Sequence, residues 1–384
     1  MLKVALGHSD DIDLDKAVAD VIEQVRVELG DTQLQAALLF MADSLRQEHA
    51  ISKICAAFPG IKLAGCSSAG EATSRLGFRE DSILLVCFCS DDVQFAIGYG
   101  EATSTDPAAA ARQAYEQIKE QLEPDCSIGI CFCFSDAVDA VPDATLNQLI
   151  ELTGGKVPIM GGAAASYHVG SPTYVYHNER VLSDAIVLMA LSGNLKVSMS
   201  TENSWQPVGK SGQVTSAKGN IIYTIDGKPA LDFYRDRVGD DTQTLVCIPI
   251  AVVTDENNIS IRGPMAFDEV DRSIKISGSV QEGDIIRLSY ADVSDVQKGA
   301  NKAIQSLTEQ FSGTSDPSFV FFCSCAARKM YLALDVRDEI EQISDTIGRH
   351  VPVAGFYGFG EIGGASITDK TLFQNQAITS VAIG

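Results

Sequence analysis

Ile61-Lys-Leu-Ala-Gly65-Cys-Ser-Ser-Ala-Gly70-Glu71 is a short apolar run that ends, at a glycine, in a loop of small residues. The chain repeats it as Val351-Pro-Val-Ala-Gly355-Phe-Tyr-Gly-Phe-Gly360-Glu361 and as Val157-Pro-Ile-Met-Gly161-Gly-Ala-Ala-Ala-Ser-Tyr167. Ahead of each copy stands an apolar strand, Ala36 to Met41, Ile128 to Phe134 or Phe319 to Cys325. Between the two lies a stretch with a 3.6-residue apolar period, which predicts helices near 44–57, 143–153 and 333–347. Strand, helix, strand in that order favours parallel pairing through right-handed crossovers, and the runs after each glycine loop read as hairpin strands. Gly355 lies about twice as far beyond Gly161 as Gly161 lies beyond Gly65, so a fourth, degenerate copy is expected near 258, where Ile259-Ser-Ile-Arg-Gly263 stands. The expected fold is α/β (α+β): two pseudo-symmetric halves of mixed β-sheets flanked by helices, built from about four related strand-helix-strand units.

A length of 384 residues suits two domains. Ser204-Trp205-Gln-Pro207-Val-Gly209-Lys-Ser-Gly212, rich in Pro and Gly and carrying the only Trp, divides the chain into 1–205 and 206–384. With 29 Lys and Arg against 51 Asp and Glu, the net charge of -22 repels phosphate backbones and anionic lipid, which argues against nucleic-acid partners. Apolar runs such as Ile83 to Cys89 fall far short of the ~20 residues that span a bilayer, so no membrane insertion is expected. The opening residues lack the pattern of a signal peptide, and a cytoplasmic location is expected. Six of the ten Cys fall as Cys87-x-Cys89, Cys131-x-Cys133 and Cys323-x-Cys325 inside apolar runs, the pattern of small hydrophobes on one strand face rather than of disulfides or zinc ligands.

Gly358-Phe-Gly360-Glu-Ile-Gly363 fits G-x-G-x-x-G, but strand rather than helix follows it, so no helix N-terminus meets a pyrophosphate there. A hydrolase would use Cys66 or Ser67 as nucleophile, yet the equivalent loops carry Gly and Phe at the position after their glycine. Binding without catalysis is the expectation, and the chain is read as no enzyme. Loops equivalent by repetition tend to converge about a pseudo-axis, and small residues there leave space for a ligand. The candidate ligand-binding residues are Gly65, Cys66, Ser67, Ser68, Gly70 and Glu71 from the first loop, with Gly161, Gly162 and Tyr167 from the second. Gly355, Tyr357, Gly358, Gly360 and Glu361 come from the third, and Arg328 is the cation placed to meet an anionic group. Tyr167 takes the place equivalent to Glu71 and Glu361, which puts His168 near the same space, while His177 reads as a strand end at a turn.

These motifs resemble the FIST proteins, sensory proteins with an N-terminal and a C-terminal FIST domain. The likeness rests on Ala64 through Glu71, Gly161 to Ala164, Val214 through Ala230, Gly355 to Gly363 and Ser324-Cys325-Ala-Ala-Arg328. It implies ligand binding in bacterial signal transduction, with amino acids among the proposed ligands. Some members are haem proteins that sense nitric oxide and regulate a histidine kinase or a cyclic-di-GMP enzyme. The expectation taken from the resemblance is therefore a stand-alone haem-based nitric oxide sensor acting on such a signalling partner, with a small organic ligand as the alternative occupant and a homo-oligomer compatible with either. Phe373-Gln374-Asn375-Gln376 stands where many relatives have a His-Asn pair, so that segment supplies no iron ligand. A haem needs an axial ligand and cations for its propionates, which selects His168 first and His177 second as metal ligands, with Arg328 as propionate partner.

Overall fold

A computed structural model describes every residue except 1, 125, 138–141, 169–170, 241–247, 256–257 and 312–315. Three units follow one plan. The first runs Lys3–Ser9, helix Leu14–Leu29, Ala36–Ala42, helix Gln47–Ala57, Lys62–Ser68, a hairpin Glu71–Thr73 and Gly77–Arg79, then Ile83–Cys89. The second runs Val93–Glu101, helix Pro107–Gln121, Ile128–Ser135, helix Pro142–Leu152, Ile159–Ala163, a hairpin Val175–His177 and Arg180–Leu182, then Ala185–Gly193. The third opens with Val197–Asn203 and resumes, after an insertion, with helix Val293–Phe311, Phe319–Cys325, helices Ala326–Leu332 and Val336–Ile347, Val353–Gly358, a hairpin Gly360–Gly363 and Leu372–Gln374, and Ala377–Ile383. In each, the strand before and the strand after the crossover helix pair in parallel, and the outer pairings are antiparallel.

The hairpins weave the units together. Glu71–Thr73 of the first unit joins the third unit's sheet beside Val353–Gly358. Val175–His177 of the second joins the first unit's sheet beside Lys62–Ser68, and Gly360–Gly363 of the third joins the second's beside Ile159–Ala163. Three six-stranded sheets result, each completed by a neighbour's hairpin.

One face of each sheet points to a common core, where Phe40 and Phe88 meet Phe132 and Phe134 from the second sheet and Phe319, Phe321 and Phe356 from the third. Phe40 stacks on Phe356 at 4.5 Å and takes the edge of Phe134 at 5.3 Å. The opposite faces carry the helices. Helix Leu14–Leu29 starts because the Asp13 carboxylate accepts from the Asp15 and Lys16 amides, and it lays Ala17, Val18, Val21 and Val25 on Ala5, Ala37 and Leu39. Cys87 and Cys89 lie in that layer, Cys131 and Cys133 in its counterpart, and Cys323 in the central core; all are free thiols.

Each unit's first strand is the open edge of its sheet, and side chains of the adjacent helix, mostly glutamine amides, bond its outward backbone groups. Gln24 accepts from the His8 N–H at 3.0 Å and donates to the His8 carbonyl at 3.2 Å, and Glu28 accepts from the Leu6 N–H at 3.2 Å. Gln117 does the same to Tyr99 at 3.3 and 2.9 Å, Gln121 accepts from the Ile97 N–H, and Gln310 donates to the Met199 carbonyl. The device needs the helix pressed against the strand, and Gly98 and Gly100 permit it: a Cβ there would lie 2.1 and 2.0 Å from the Ala114 and Ala110 carbonyls.

The expected class holds, with mixed sheets, flanking helices and repeated strand-helix-strand units. The fourth expected copy takes another form. Ile250–Asp255 and Asn258–Arg262 pair as antiparallel strands, because their separation along the chain is far too short for a parallel crossover. This pair belongs to an antiparallel sheet that the chain enters at Gln206–Lys218, directly after the first strand of the third unit, and leaves at Ile285–Tyr290. Arg262 ties the insertion to the second unit: its guanidinium donates to Asp143 at 2.9 Å and to the Phe373 carbonyl at 3.0 Å, and the Ser279 amide donates to the other Asp143 oxygen at 2.7 Å. No helix among the described residues is long and apolar enough to cross a membrane.

Candidate functional site

The three glycine loops do converge, but as packed backbone. A Cβ on Gly65 would lie 1.9 Å from the Leu39 carbonyl oxygen, and one on Gly161 would lie 2.0 Å from that of Cys133. At φ 154° and 157° these glycines let each parallel pair close up, which accounts for the repeat. Gly162 faces Gly360 and Gly358 faces Ala163 where the third unit meets the second, while Gly355 lies against Phe322 and Gly70 against Phe78 within their own units. None of these glycines lines either of the two largest described clefts.

Glu71 is fully buried at the end of the first loop. The Ser68 and Ser82 hydroxyls donate to its two carboxyl oxygens. Ser82 also meets His8 Nε2 at 3.1 Å, and His8 Nδ1 meets the Thr73 hydroxyl at 2.9 Å, so a buried polar chain runs Ser68, Glu71, Ser82, His8, Thr73. Burial raises the Glu71 pKa to about 7 against the pull of the two serines. His8 goes the other way, to about 4, through burial and the nearby Arg79 charge.

Glu361 is equally buried; its Oε2 accepts the Ala377 N–H at 3.0 Å, and burial pushes its pKa well up. Arg328 is enclosed in the third unit. Its guanidinium donates to Glu339 and to the Ser324 hydroxyl, and Tyr357 donates to the second Glu339 oxygen at 3.0 Å. The position structurally equivalent to Glu71 and Glu361 is Val175, not Tyr167: Glu71 lies opposite Phe356, Glu361 opposite Gly162 and Val175 opposite Cys66, each partner one residue past its glycine. A longer second loop displaces Tyr167, which is exposed, edge-on to the exposed His168 ring at 4.9 Å and near the Lys329 ammonium at 5.8 Å.

Cys66 is fully buried, and burial holds its thiol protonated far above neutral pH. Ser67 is also buried, with its hydroxyl accepting the Tyr174 N–H at 3.0 Å. Among the described residues, neither hydrogen-bonds a histidine.

An open site lies instead at the junction of the first and second units, in a cleft of about 1040 Å³. Cys55 and Lys62 line it from the first unit, Tyr99, Gln117, Glu120 and Gln121 from the second, and His177, Asn178, Glu179 and Arg180 from the hairpin turn that crosses between them. Asn178, at φ 52°, fixes the turn: its N–H donates to the Leu63 carbonyl at 2.8 Å and its Oδ1 accepts the Leu63 N–H at 3.2 Å. Tyr99 stands with the His177 ring 4.7 Å away and the Arg180 guanidinium 4.6 Å over its face. Burial and the Arg180 charge lower the His177 pKa to about 4, so the imidazole is neutral at pH 7. Burial and Glu179 raise the Cys55 thiol to about 11, and burial also lowers the Lys62 pKa.

Of the residues expected from sequence, His177 alone lines this cleft. Lys62 carried a signal, a lone charge inside the apolar run Ile61-Lys-Leu-Ala. Tyr99, Gln117 and Arg180 carried none, since only the folded junction brings them together.

The FIST N domain family matches residues 35–228, and the FIST C domain family matches residues 230–364. An uncharacterized protein of Mycobacterium tuberculosis is 27% identical over 232 residues, covering 56% of this chain and 60% of that protein. One from Methanocaldococcus jannaschii is 22% identical over 241 residues, covering 58% of this chain and 44% of that protein. The matches thus span about half the length of these curated relatives. Among solved structures, a cyanuric acid hydrolase described as an evolutionary innovation by structural concatenation aligns over 100% of both chains at 9% identity, with a TM-score of 0.41. The cyanuric acid hydrolase of A. caulinodans aligns over 100% of this chain and 99% of its own at 9% identity, with a TM-score of 0.38. The expectation that the chain is no enzyme is corrected: the solved structures that it resembles include these hydrolases, and the exclusion of catalysis is withdrawn.

Proposed function

The chain belongs to the FIST family, with a FIST N domain followed by a FIST C domain, and from that premise we propose that it is a sensory protein whose cleft between the first and second units binds a small zwitterionic molecule such as an amino acid. The observation that carries this reading is the pairing of charge in one cleft: Arg180 and Lys62 suit a carboxylate, and Glu120 and Glu179 suit an ammonium group. Tyr99, held between the Arg180 guanidinium over its face and the tilted His177 ring, supplies a rigid apolar wall.

A ligand there touches the first unit, the second unit and the hairpin turn together. Val175–His177 continues from that turn to the backbone of Cys66, Gly65 and Ala64, so tightening the turn acts on the strand that ends in the central loop. Binding then favours one population of unit arrangements over another, and a signalling partner such as a histidine kinase reads the difference.

Haem has one supporting feature in the same cleft, the neutral His177 imidazole that an iron ligand requires. The remaining residues fit it poorly. Lys62, Gln117, Glu120 and Glu179 wall the cleft where a macrocycle needs an apolar slot, His168 is exposed, and Arg328 is enclosed with Glu339.

The test sets the two occupants side by side. Thermal unfolding of the full chain is followed with each amino acid in turn, and an absorption spectrum is taken after haem reconstitution. A ligand present at 100 times its Kd adds ~2.7 kcal/mol, a readable rise in Tm. The proposal expects a saturable rise with at least one amino acid that Arg180→Gln abolishes. A Soret band lost in His177→Ala, with no amino acid raising Tm, overturns it.

A further inference from the structure

The fold builds the ligand cleft twice. The second copy, of about 490 Å³, lies at the junction of the third and first units. Residues 349–352 lead into Val353–Gly358 on one wall, as residues 59–62 lead into Lys62–Ser68 in the first cleft. Opposite stand an edge strand and its helix, Lys3–Ser9 with Leu14–Leu29, in place of Val93–Glu101 with Pro107–Gln121. A crossing hairpin closes each at its turn, and the turn is pinned in the same way. Ser74 N–H donates to the Val353 carbonyl at 2.9 Å and its hydroxyl accepts the Val353 N–H at 3.1 Å, repeating the exchange between Asn178 and Leu63.

Charge separates the two copies. Where the first cleft mixes signs, the second has two guanidinium groups, Arg75 and Arg349, on its walls with the His350 ring beside them, against the single carboxylate of Glu28. In a chain of net charge -22, such a local excess of cations marks the cleft off from the rest of the surface. Arg75 lines the cleft, with Nη1 donating to the Leu6 carbonyl at 3.2 Å and standing 3.8 Å from Glu28, and its other donors have no partner among the described residues. Arg349 bonds Asp345 through Nε, and His350 bonds Asp316; neither acid lines the cleft.

We infer that this second cleft binds a small dianion, of the phosphate or dicarboxylate class, between the third and first units. A dianion at Arg75 and Arg349 bridges the turn of Glu71–Thr73 to the strand Val353–Gly358 that this hairpin joins, so it locks the first unit's hairpin onto the third unit's sheet. The inference is independent of what fills the first cleft.

Calorimetric titration of inorganic phosphate and of succinate into the full chain at pH 7 tests it. The expected result is saturable one-to-one binding of at least one of them, weakened about tenfold by Arg75→Gln and by Arg349→Gln, since each removes a charge-assisted contact. Lys53→Gln, which removes a surface charge paired with Asp15 outside both clefts, leaves it unchanged. Arg349 is 74% exposed, so its variant folds even where Arg75→Gln does not. Heat that never saturates, binding equal in Arg349→Gln and the parent, or loss confined to Arg180→Gln overturns the inference, the last by placing the anion in the first cleft.

Discussion

Glu71 and Glu361 hold the same register in two hairpins that cross between units, Glu71 opposite Phe356 and Glu361 opposite Gly162. Their surroundings differ at the atom level. Both oxygens of Glu71 accept a serine hydroxyl, whereas Glu361 Oε1 has no hydrogen-bond partner among the described residues. The third equivalent position is the apolar Val175. The repeat thus preserved a place in the fold while the chemistry at that place diverged.

Glu71 makes stability depend on pH with a definite sign. Its folded pKa of about 7 lies above the ordinary 4.5, so the folded state binds the proton more tightly. Stability therefore falls as pH rises from 4.5 through 7, by about 3 kcal/mol in total. Glu71→Gln removes that loss. Urea unfolding at pH 5 and pH 8 should show the variant gaining on the parent by up to that amount at the higher pH; a constant difference contradicts the assignment. His8, with its pKa lowered to about 4, acts oppositely, adding stability as pH rises from 4 through 6.5, so the parent's own profile is flatter than either group alone dictates.

Gly65→Ala should be among the most damaging single changes. Its Cβ would lie 1.9 Å from the Leu39 carbonyl oxygen, and the strand pair cannot part without disturbing the core behind Phe40. A loss of about 4 kcal/mol or more is expected, read as a large drop in the urea midpoint or as insoluble protein.

Much of this was legible in sequence. The small-residue loops announced the repeat, and the predicted helices near 44–57 and 143–153 fall on Gln47–Ala57 and Pro142–Leu152. The destination of each hairpin was not legible, because Glu71–Thr73 finds its partner strand in Val353–Gly358, across most of the chain. A register read by counting from Gly161 also placed Tyr167 where the longer loop puts Val175. Arg328 read as a free cation because its partner Glu339 lies on the next helix, and burial of both is a tertiary fact.

The glutamine seals on the edge strands predict an association phenotype. Gln117 satisfies both backbone groups of Tyr99, and Gln117→Ala leaves them open to a second chain. Light scattering should show concentration-dependent association of the variant beyond that of the parent; identical behaviour means the helix backbone alone protects the edge.

The ion pair between Arg262 and Asp143 fastens the insertion to the second unit at a nearly buried site, with side chains 7% and 11% exposed. Arg262→Met leaves the Asp143 carboxylate without its cation and should cost ~3–5 kcal/mol, while Arg262→Met with Asp143→Leu should recover much of it. A double-mutant cycle by urea unfolding measures the coupling, and strictly additive losses would mean that the two side chains act separately.

The most direct test of the ligand cleft is calorimetry with the amino acid that raises Tm most, run on the parent and on Arg180→Gln and Tyr99→Ala. The account predicts one-to-one binding that weakens about tenfold or more in each variant. Undiminished binding in both variants would place the ligand elsewhere and contradict the account.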